Sequence, residues 1–473
     1  IGCACVTHGA AVTNTATALA HGVKARTPML LLCGDTAVTD RDNFQNFPQR
    51  EHIVSTGAGF EQLRSPETIA VDVATALRRA FAESRPIALN VPVEFQWLDT
   101  EYESAPFRQP SVRAIVPESD DLDNAIGIIA AARRPLVLAG RGAISPEARA
   151  ALLSLANRLD APVATTLQAK DLFRGEQFDL GIFGTLTRDE RLDFMLEADC
   201  IIAFGASLNE YTLAHGSFAD GKRIVQVDND PSQLRRYCDA DAGVIGDAGA
   251  TATLFEKWLD EAEIPGSSWT SEDMVAKLGE PMAGPQTAPD CKVEMAGVVR
   301  LMNDHLPADR VVVTDGGRVL GEVWKQFEVP TPADFLITLA FGSIGLGMGH
   351  AIGTAACRPG RKVVHVTGDG GWALGGLAEF HTAVRHGLNI TTIICNDSAY
   401  GAEYIQFRRK EMDPSLSMFE WPDFAAVARA MGGLAFTVET YAELEDALKA
   451  VAASDTPSLI DIRLDPESMP EFP

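Results

Sequence analysis

Short β-branched and leucine-rich runs recur along the chain, separated by longer Ala-, Leu- and Arg-rich stretches with helical spacing. Near the start, "PMLLLCG" (28–34) and "RPIALNVP" (85–92) bracket a helical pattern. The opening "IGCACVTHG" reads as a strand with no element before it. Further on come "RPLVLAG" (134–140), "APVATT" (161–166), "CIIAFG" (200–205) and "RIVQVDND" (223–230). The last part carries "RVVVTDGG" (310–317), "DFLITLA" (334–340), "KVVHVTGDGG" (362–371), "NITTIICND" (389–397) and "SLIDIRLD" (458–465). Strand-like runs alternating with helical patterns predict parallel sheets covered by helices on both faces. The expected fold class is therefore α/β, with three consecutive α/β domains. The first is expected to be incomplete, its missing part lying upstream of Ile1, because a parallel sheet is not expected to begin at an internal strand.

Two Pro-, Gly- and Ser-rich stretches, 99–121 and 264–292, read as linkers. They delimit domains at 1–103, 118–263 and 291–473. A length of 473 residues agrees with about three domains.

Composition narrows the function classes. Hydrophobic residues make up 46% and charged residues 22%, as in an ordinary globular protein. No apolar run reaches transmembrane length, so no membrane partner is expected. The formal net charge is −25, and the one short basic cluster, Arg408 to Lys410, reads as a solvated face. Nucleic acid is therefore not an expected partner. None of the eight cysteines forms a CxxC pair, which suits a reducing cytoplasm. Cys3 and Cys5 share one face of a strand and read as small buried apolar residues rather than metal ligands.

In parallel α/β sheets, ligands bind beyond the carboxyl ends of strands. The glycine-rich turn Gly368, Asp369, Gly370, Gly371 lies at such an end. Two readings compete for it. In one, Gly345, Gly347, Gly349 and Gly353 open a nicotinamide dinucleotide site, with Asp369 on the ribose, although the spacing is not GxGxxG. In the other, the turn holds a diphosphate through a divalent cation. Mg²⁺ takes six hard oxygen ligands. Asp369 supplies a carboxylate. Asn396, twenty-seven residues later, follows one helix and one returning strand and supplies an amide oxygen. The backbone carbonyl of Ser398 can face the same ion. N–H groups of Gly370 and Gly371 can meet the phosphates.

The spacing of Gly368, Asp369 and Gly370, then twenty-five residues, then Asn396, resembles the signature of the thiamine-diphosphate-dependent enzymes of the acetolactate synthase, benzoylformate decarboxylase and pyruvate decarboxylase group. The first residue of that family's usual asparagine pair is Cys395 here. "FGSIGLGMGHAIGTA" resembles the segment carrying the family's large apolar residue under the cofactor, which places Gly342, Ser343 and Ile344 there. "TDGGRVLGEV" resembles the loop meeting the diphosphate from the other side, with Gly316 and Gly317. "CVTHGAAVTN" and "NFQNFPQRE" resemble pyrimidine-domain segments, with Phe44 and Gln45 on the matching positions. "IVQVDNDPSQL" resembles the end of the family's middle domain.

The resemblance implies thiamine-diphosphate-binding folds at both ends, a Rossmann-like middle domain, and thiamine diphosphate with Mg²⁺ as cofactors. It implies a metal site of Asp369, Asn396 and Ser398, with Tyr400 and Gly401 beside the cofactor. Ile344 is the wedge that bends the cofactor. The glutamate that activates the cofactor in this family is expected upstream of Ile1. FAD is not expected, because Ser207 stands where FAD-binding relatives carry an arginine. The active unit is implied to be a homodimer or homotetramer with active sites between subunits.

The implied reaction is lysis or ligation of a C–C bond in a 2-oxo acid, closest to the acetolactate synthase pattern. The acid loses CO₂, and the remaining fragment joins a second 2-oxo acid or an aldehyde. A non-ligating decarboxylase or a hydroxyacyl lyase is the alternative. A nicotinamide oxidoreductase and an inactive scaffold are the alternatives from other classes. His8 lies near where benzoylformate decarboxylase carries an active-site histidine, and reads equally as a buried, backbone-bonded residue.

Overall fold

The computed structural model describes residues 1–40, 42–105, 107–108, 115–279, 288–289 and 291–468, so parts of both linker stretches lie outside the described residues. The chain divides into two compact units. One comprises 1–112 with 337–346; the other comprises 113–336 with 347–473.

In the first unit, β1 (Gly2–Val6), β2 (Met29–Asp35), β3 (Gly59–Gln62) and β4 (Pro86–Pro92) form one sheet in the order β1-β2-β4-β3. All three of its ladders are parallel. Successive residues of its central strands feed opposite faces. Leu31, Cys33 and Ala88 join one core cluster, while Leu30, Ile87 and Leu89 join the other.

The second unit holds two six-stranded sheets. The first contains β5 (Pro135–Ala139), β6 (Val163–Thr165), β7 (Asp179–Ile182), β8 (Cys200–Phe204), β9 (Arg223–Asp228) and β10 (Ala242–Ile245), in the order β10-β9-β8-β5-β6-β7. The second contains β11 (Val311–Thr314), β12 (Phe335–Ile337), β13 (Val363–Gly368), β14 (Ile390–Asn396), β15 (Leu434–Val438) and β16 (Ser458–Arg463), in the order β12-β11-β13-β14-β16-β15. Their described ladders are parallel. The α/β expectation of three helix-covered, mainly parallel sheets holds. Each strand-like run named above is a strand.

The near-continuous apolar runs follow from burial on both faces. In β5, Leu136 and Leu138 pack on one side of the sheet, and Val137 and Ala139 on the other. Local chemistry sets the helix starts. Ser145 Oγ accepts the Ala148 N–H at 3.1 Å, and Pro146 opens helix Pro146–Leu159 where its missing N–H costs nothing.

Cys3 and Cys5 are exposed, not buried. They lie on β1, an edge strand whose residues are almost all exposed. The alternation placed them on one face, and none of the described residues covers that face.

The glycine loops after β5 and β8 pack against each other. A Cβ at Gly140 would lie 2.2 Å from the Gly205 carbonyl oxygen. Gly140→Ala is expected to cost about 1–3 kcal/mol through this overlap. Urea unfolding of the variant checks it; an unchanged midpoint would show that the two loops can part freely.

Candidate active site

Strand register builds the centre of the site. β13 and β14 run parallel with Gly368 opposite Cys395. Asp369 and Asn396 therefore follow side by side as two neighbouring strands end. Asp369 opens a helix (Asp369–Gly371) that continues through a π turn (Trp372–Gly376) into Leu377–His386. Such a wide turn inside a helix is a frequent companion of functional sites.

Asp369 is buried, and Trp421 Nε1 donates to its Oδ2 at 2.6 Å. Burial, reinforced by the negative charge of Asp397, pushes its carboxyl up to about 7. Hydrogen bonds from Trp421 and from backbone N–H groups offset part of this rise.

Asn396 is buried as well. Its Nδ2 donates to Asp461 Oδ1 at 2.9 Å, and its Oδ1 accepts the Ser398 N–H at 3.2 Å. An ionised carboxylate can only accept, so Asp461 fixes which end of the amide is nitrogen and turns the oxygen toward the loop. Asp461 lies within β16 with no exposed surface. Its second oxygen has Arg463 Nη2 2.8 Å away, outside hydrogen-bond alignment. Burial raises the Asp461 carboxyl above the usual range.

Ser398 adopts a left-handed backbone, φ 54°, which is uncommon outside glycine. Its carbonyl accepts the Phe419 N–H at 2.9 Å. One lone pair is thus engaged and one is left. Tyr400 packs so closely over the helix start that a Cβ at Gly370 would lie 2.3 Å from its ring. Only glycine fits there. Gly401 opens helix Gly401–Arg409.

The loop after β11 closes on the same strand ends. Asp315 is buried; its Oδ1 accepts the Gly316 N–H at 2.9 Å, and its Oδ2 accepts the Gly347 N–H at 3.3 Å. This pins the Gly316, Gly317 turn against the start of helix Gly347–Cys357. Arg318 reaches from that turn to Asp397, Nη2 to Oδ2 2.9 Å, with both side chains buried. Its Nη2 also donates to the Pro466 carbonyl at 3.0 Å. Burial raises the Asp397 carboxyl, and Arg318 pulls it only part of the way back.

The remaining expected residues lie in the first unit. His8 follows β1; its Nδ1 is 3.3 Å from Thr7 Oγ1. A Cβ at Gly9 would meet the Gln45 carbonyl at 2.8 Å, so the His8 and Gln45 segments touch. Phe44 is 93% exposed. Gln49 ties these loops down: it accepts the Gly9 N–H at 2.6 Å and donates to Gly34 O and Asn90 Oδ1. Gly342, Ser343 and Ile344 belong to this unit, with Gly342 at φ 77° and Ile344 half-buried.

Sequence reasoning missed Asp315, Arg318, Asp397, Trp421, Asp461 and Gln49. A signal existed for one: Asp461 is an acid inside the apolar strand run "SLIDIRLD". Asp315, Asp397 and Trp421 sit in loops, and Gln49 and Arg318 at the starts of short helices, where folding brings them inward.

The donors suit a hard cation and a diphosphate. Asp369 and Asn396 offer oxygen at adjacent strand ends, next to a glycine-rich helix start. Among the described residues no three His, Cys, Asp or Glu side chains gather as a metal site. The candidate set instead combines one carboxylate, one amide and one carbonyl. Crowded buried carboxylates are what a cation would relieve.

The carboxyl ends of parallel strands are where open α/β sheets bind their ligands. Three family models match the chain in order. The thiamine pyrophosphate enzyme N-terminal TPP binding domain matches residues 1–56, the central domain 122–255, and the C-terminal TPP binding domain 315–462. The chain belongs to the thiamine pyrophosphate enzymes, in the group that includes acetolactate synthase. It is 25% identical to a "Probable acetolactate synthase large subunit" of Methanococcus aeolicus, over 98% of this chain and 81% of that protein. It is 26% identical to a sulfoacetaldehyde acetyltransferase of Castellaniella defragrans (93% and 78%). It is 27% identical to an acetolactate synthase large subunit of Parasynechococcus marenigrum (97% and 76%). The nicotinamide reading of the glycines is thereby set aside: Gly347 and Gly349 form the first turn of a helix in a thiamine pyrophosphate domain.

Arg318→Met would leave Asp397 buried without its partner, at an expected cost of about 3–5 kcal/mol to the apoprotein. The double variant with Asp397→Leu should regain most of that loss. Urea unfolding of the single and double variants reads the coupling, and strictly additive losses would mean that the pair does not act as a unit.

Proposed function

We propose that this chain is a Mg²⁺- and thiamine-diphosphate-dependent enzyme that decarboxylates a 2-oxo acid and joins the remaining fragment to a second carbonyl compound. The observation that carries the reading is the side-by-side ending of β13 and β14 in Asp369 and Asn396, with the amide oxygen oriented by Asp461. In this reading Asp369, Asn396 and the Ser398 carbonyl hold the cation. Gly368, Gly370 and Gly371 receive the diphosphate from one side, and Gly316 and Gly317 from the other. Arg318 and Asp397 keep the two loops in register.

Thiamine diphosphate, when bound, supplies a nucleophilic carbanion at thiazolium C2 and an electron sink. Gly342 and Ser343 position Ile344, whose β-branched side chain is stiff enough to bend the cofactor. The family resemblance would put Tyr400 and Gly401 beside the diphosphate end of the cofactor. His8 and Gln45 face the substrate, where the histidine positions a carboxylate or moves a proton. We infer that the working unit is a homodimer or a larger even assembly, as the family resemblance implies. Acyl transfer to another acceptor is the second reading, supported by the similarity to sulfoacetaldehyde acetyltransferases.

Asp369→Ala should lose Mg²⁺-dependent retention of thiamine diphosphate on gel filtration, with affinity down at least about a hundredfold. Retention at the unaltered level would remove Asp369 from the cation site. Ile344→Ala should slow C2 proton exchange, followed by NMR after acid quench, about tenfold or more, with cofactor affinity changed far less; each tenfold is about 1.4 kcal/mol of barrier. Equal exchange rates would take the wedge role from Ile344. Products from a panel of 2-oxo acids and aldehydes, identified by mass, test the reaction itself; recovery of simple aldehydes alone would favour the non-ligating alternative.

A further inference from the structure

A second polar cavity, of about 300 Å³, opens beside the edge strand β7. Its walls come from the loop after β6, β7 and the segment after it, the start of helix Asp189–Glu197, helix Glu272–Leu278, and the end of helix Gly321–Gln326 with Glu328 beyond it. None of these is part of the candidate active site.

The cavity contains cations whose bonding capacity is largely unused. Lys170 is 2% exposed, yet among the described residues its ammonium has one hydrogen-bond partner, Asp171 Oδ1, at a long 3.4 Å. Among the described residues Arg188 donates to one acceptor, the Lys325 carbonyl, at 3.2 Å. Arg191 donates to the Asp179 carbonyl at 2.7 Å, and its Nε is buried with no partner among the described residues. A guanidinium carries five N–H donors, so most of those on this arginine pair are unmet by protein.

The carboxylates lining the cavity have further partners of their own, although Asp171 and Glu328 also attract Lys170, and Asp179 attracts Arg191. Asp171 Oδ2 accepts the Val329 N–H at 2.9 Å. Glu176 pairs with Arg149 at 2.5 Å, and Glu328 with Arg174 at 2.8 Å. Asp179 Oδ1 accepts the Gly181 N–H at 2.8 Å. Lys170 and Arg191 are held below their usual ranges, first by burial and in part by the charge of Arg188. Clustered, desolvated and under-paired cations are costly unless an anion joins them.

We propose that this cavity is a binding site for a small phosphate dianion, held by Lys170, Arg188 and Arg191. Two guanidinium forks and an ammonium match the oxygens of a tetrahedral dianion. No aromatic residue lines the cavity among the described residues, so there is no platform for a nucleobase. The shared chemistry is thus a phosphate group, either free orthophosphate or the phosphate of a small aliphatic ester. The site is independent of the cofactor reading above.

The test is calorimetric titration of the full chain, first saturated with thiamine diphosphate and Mg²⁺ so that no diphosphate site remains open, in phosphate-free buffer at fixed ionic strength. Inorganic phosphate in one arm and glycerol 1-phosphate in the other distinguish the two sources. One saturable site per chain is expected in at least one arm, with affinity at least tenfold weaker in Arg188→Gln and cofactor affinity unchanged. Lys170→Met should raise the melting temperature in phosphate-free buffer and abolish the further rise that phosphate gives the parent. Absence of saturable heat in both arms, or equal affinity in parent and Arg188→Gln, would overturn the site. Were the cofactor itself not to bind, the same titration on Asp369→Ala would still judge this cavity alone.

Discussion

Three buried carboxylates, Asp369, Asp397 and Asp461, gather where β13, β14 and β16 end, and each is held above its ordinary range by burial. One buried guanidinium, Arg318, answers one of them. Arg463 stands near a second without aligning to it. The rest of the site is arranged around this excess of negative charge. Asp461 orients an amide, Arg318 joins two loops, and Asp369 is left with an indole N–H and backbone donors. Burial and the charge of Asp397 hold Asp369 high, and its neutral donors offset only part of that rise. A divalent ion at this point would relieve the desolvated charge of Asp369 and its repulsion from Asp397.

Parallel sheets explain why these groups meet at all. When strands run the same way, every loop after a strand emerges on one side, and residues far apart in sequence arrive together. Asp315, Asp369, Asn396 and the residues after β16 do so within a single sheet. The same logic places the Gly140 and Gly205 loops against each other in the middle sheet. Loop chemistry then differs freely while the strands stay fixed. A sulfoacetaldehyde acetyltransferase and an acetolactate synthase stand at similar identity to this chain.

Central strands were legible because they are buried on both faces and read as apolar runs. β3, β7, β10 and β15 were not, and all four are edge strands. "GFEQ" and "DLGI" carry polar or glycine residues because one side of an edge strand needs no partner strand. The site divides in the same way. Asp369 and Asn396 announced themselves by spacing, since a helix and a returning strand take a fixed length of chain. Trp421 could not, because its approach depends on how a distant loop folds, and Asp461 showed itself only as an acid inside an apolar strand run, with its partner set by strand order. Cys3 and Cys5 show the converse: alternation gives which residues share a face, and tertiary context alone decides whether that face is covered.

The chemistry that suits this domain to a cofactor also weakens it without one. Each unpaired buried charge costs stability that binding returns, so ligand affinity and apoprotein stability draw on the same residues. Replacing Arg318 and Asp397 together by apolar residues would spare the apoprotein the cost of burying two charges, yet would loosen the only side-chain ion pair described between the β11 and β14 loops. Selection on such a site cannot raise stability and binding independently. A buried pair that contributes little to folding is then retained for where it holds the backbone N–H groups and oxygens around it.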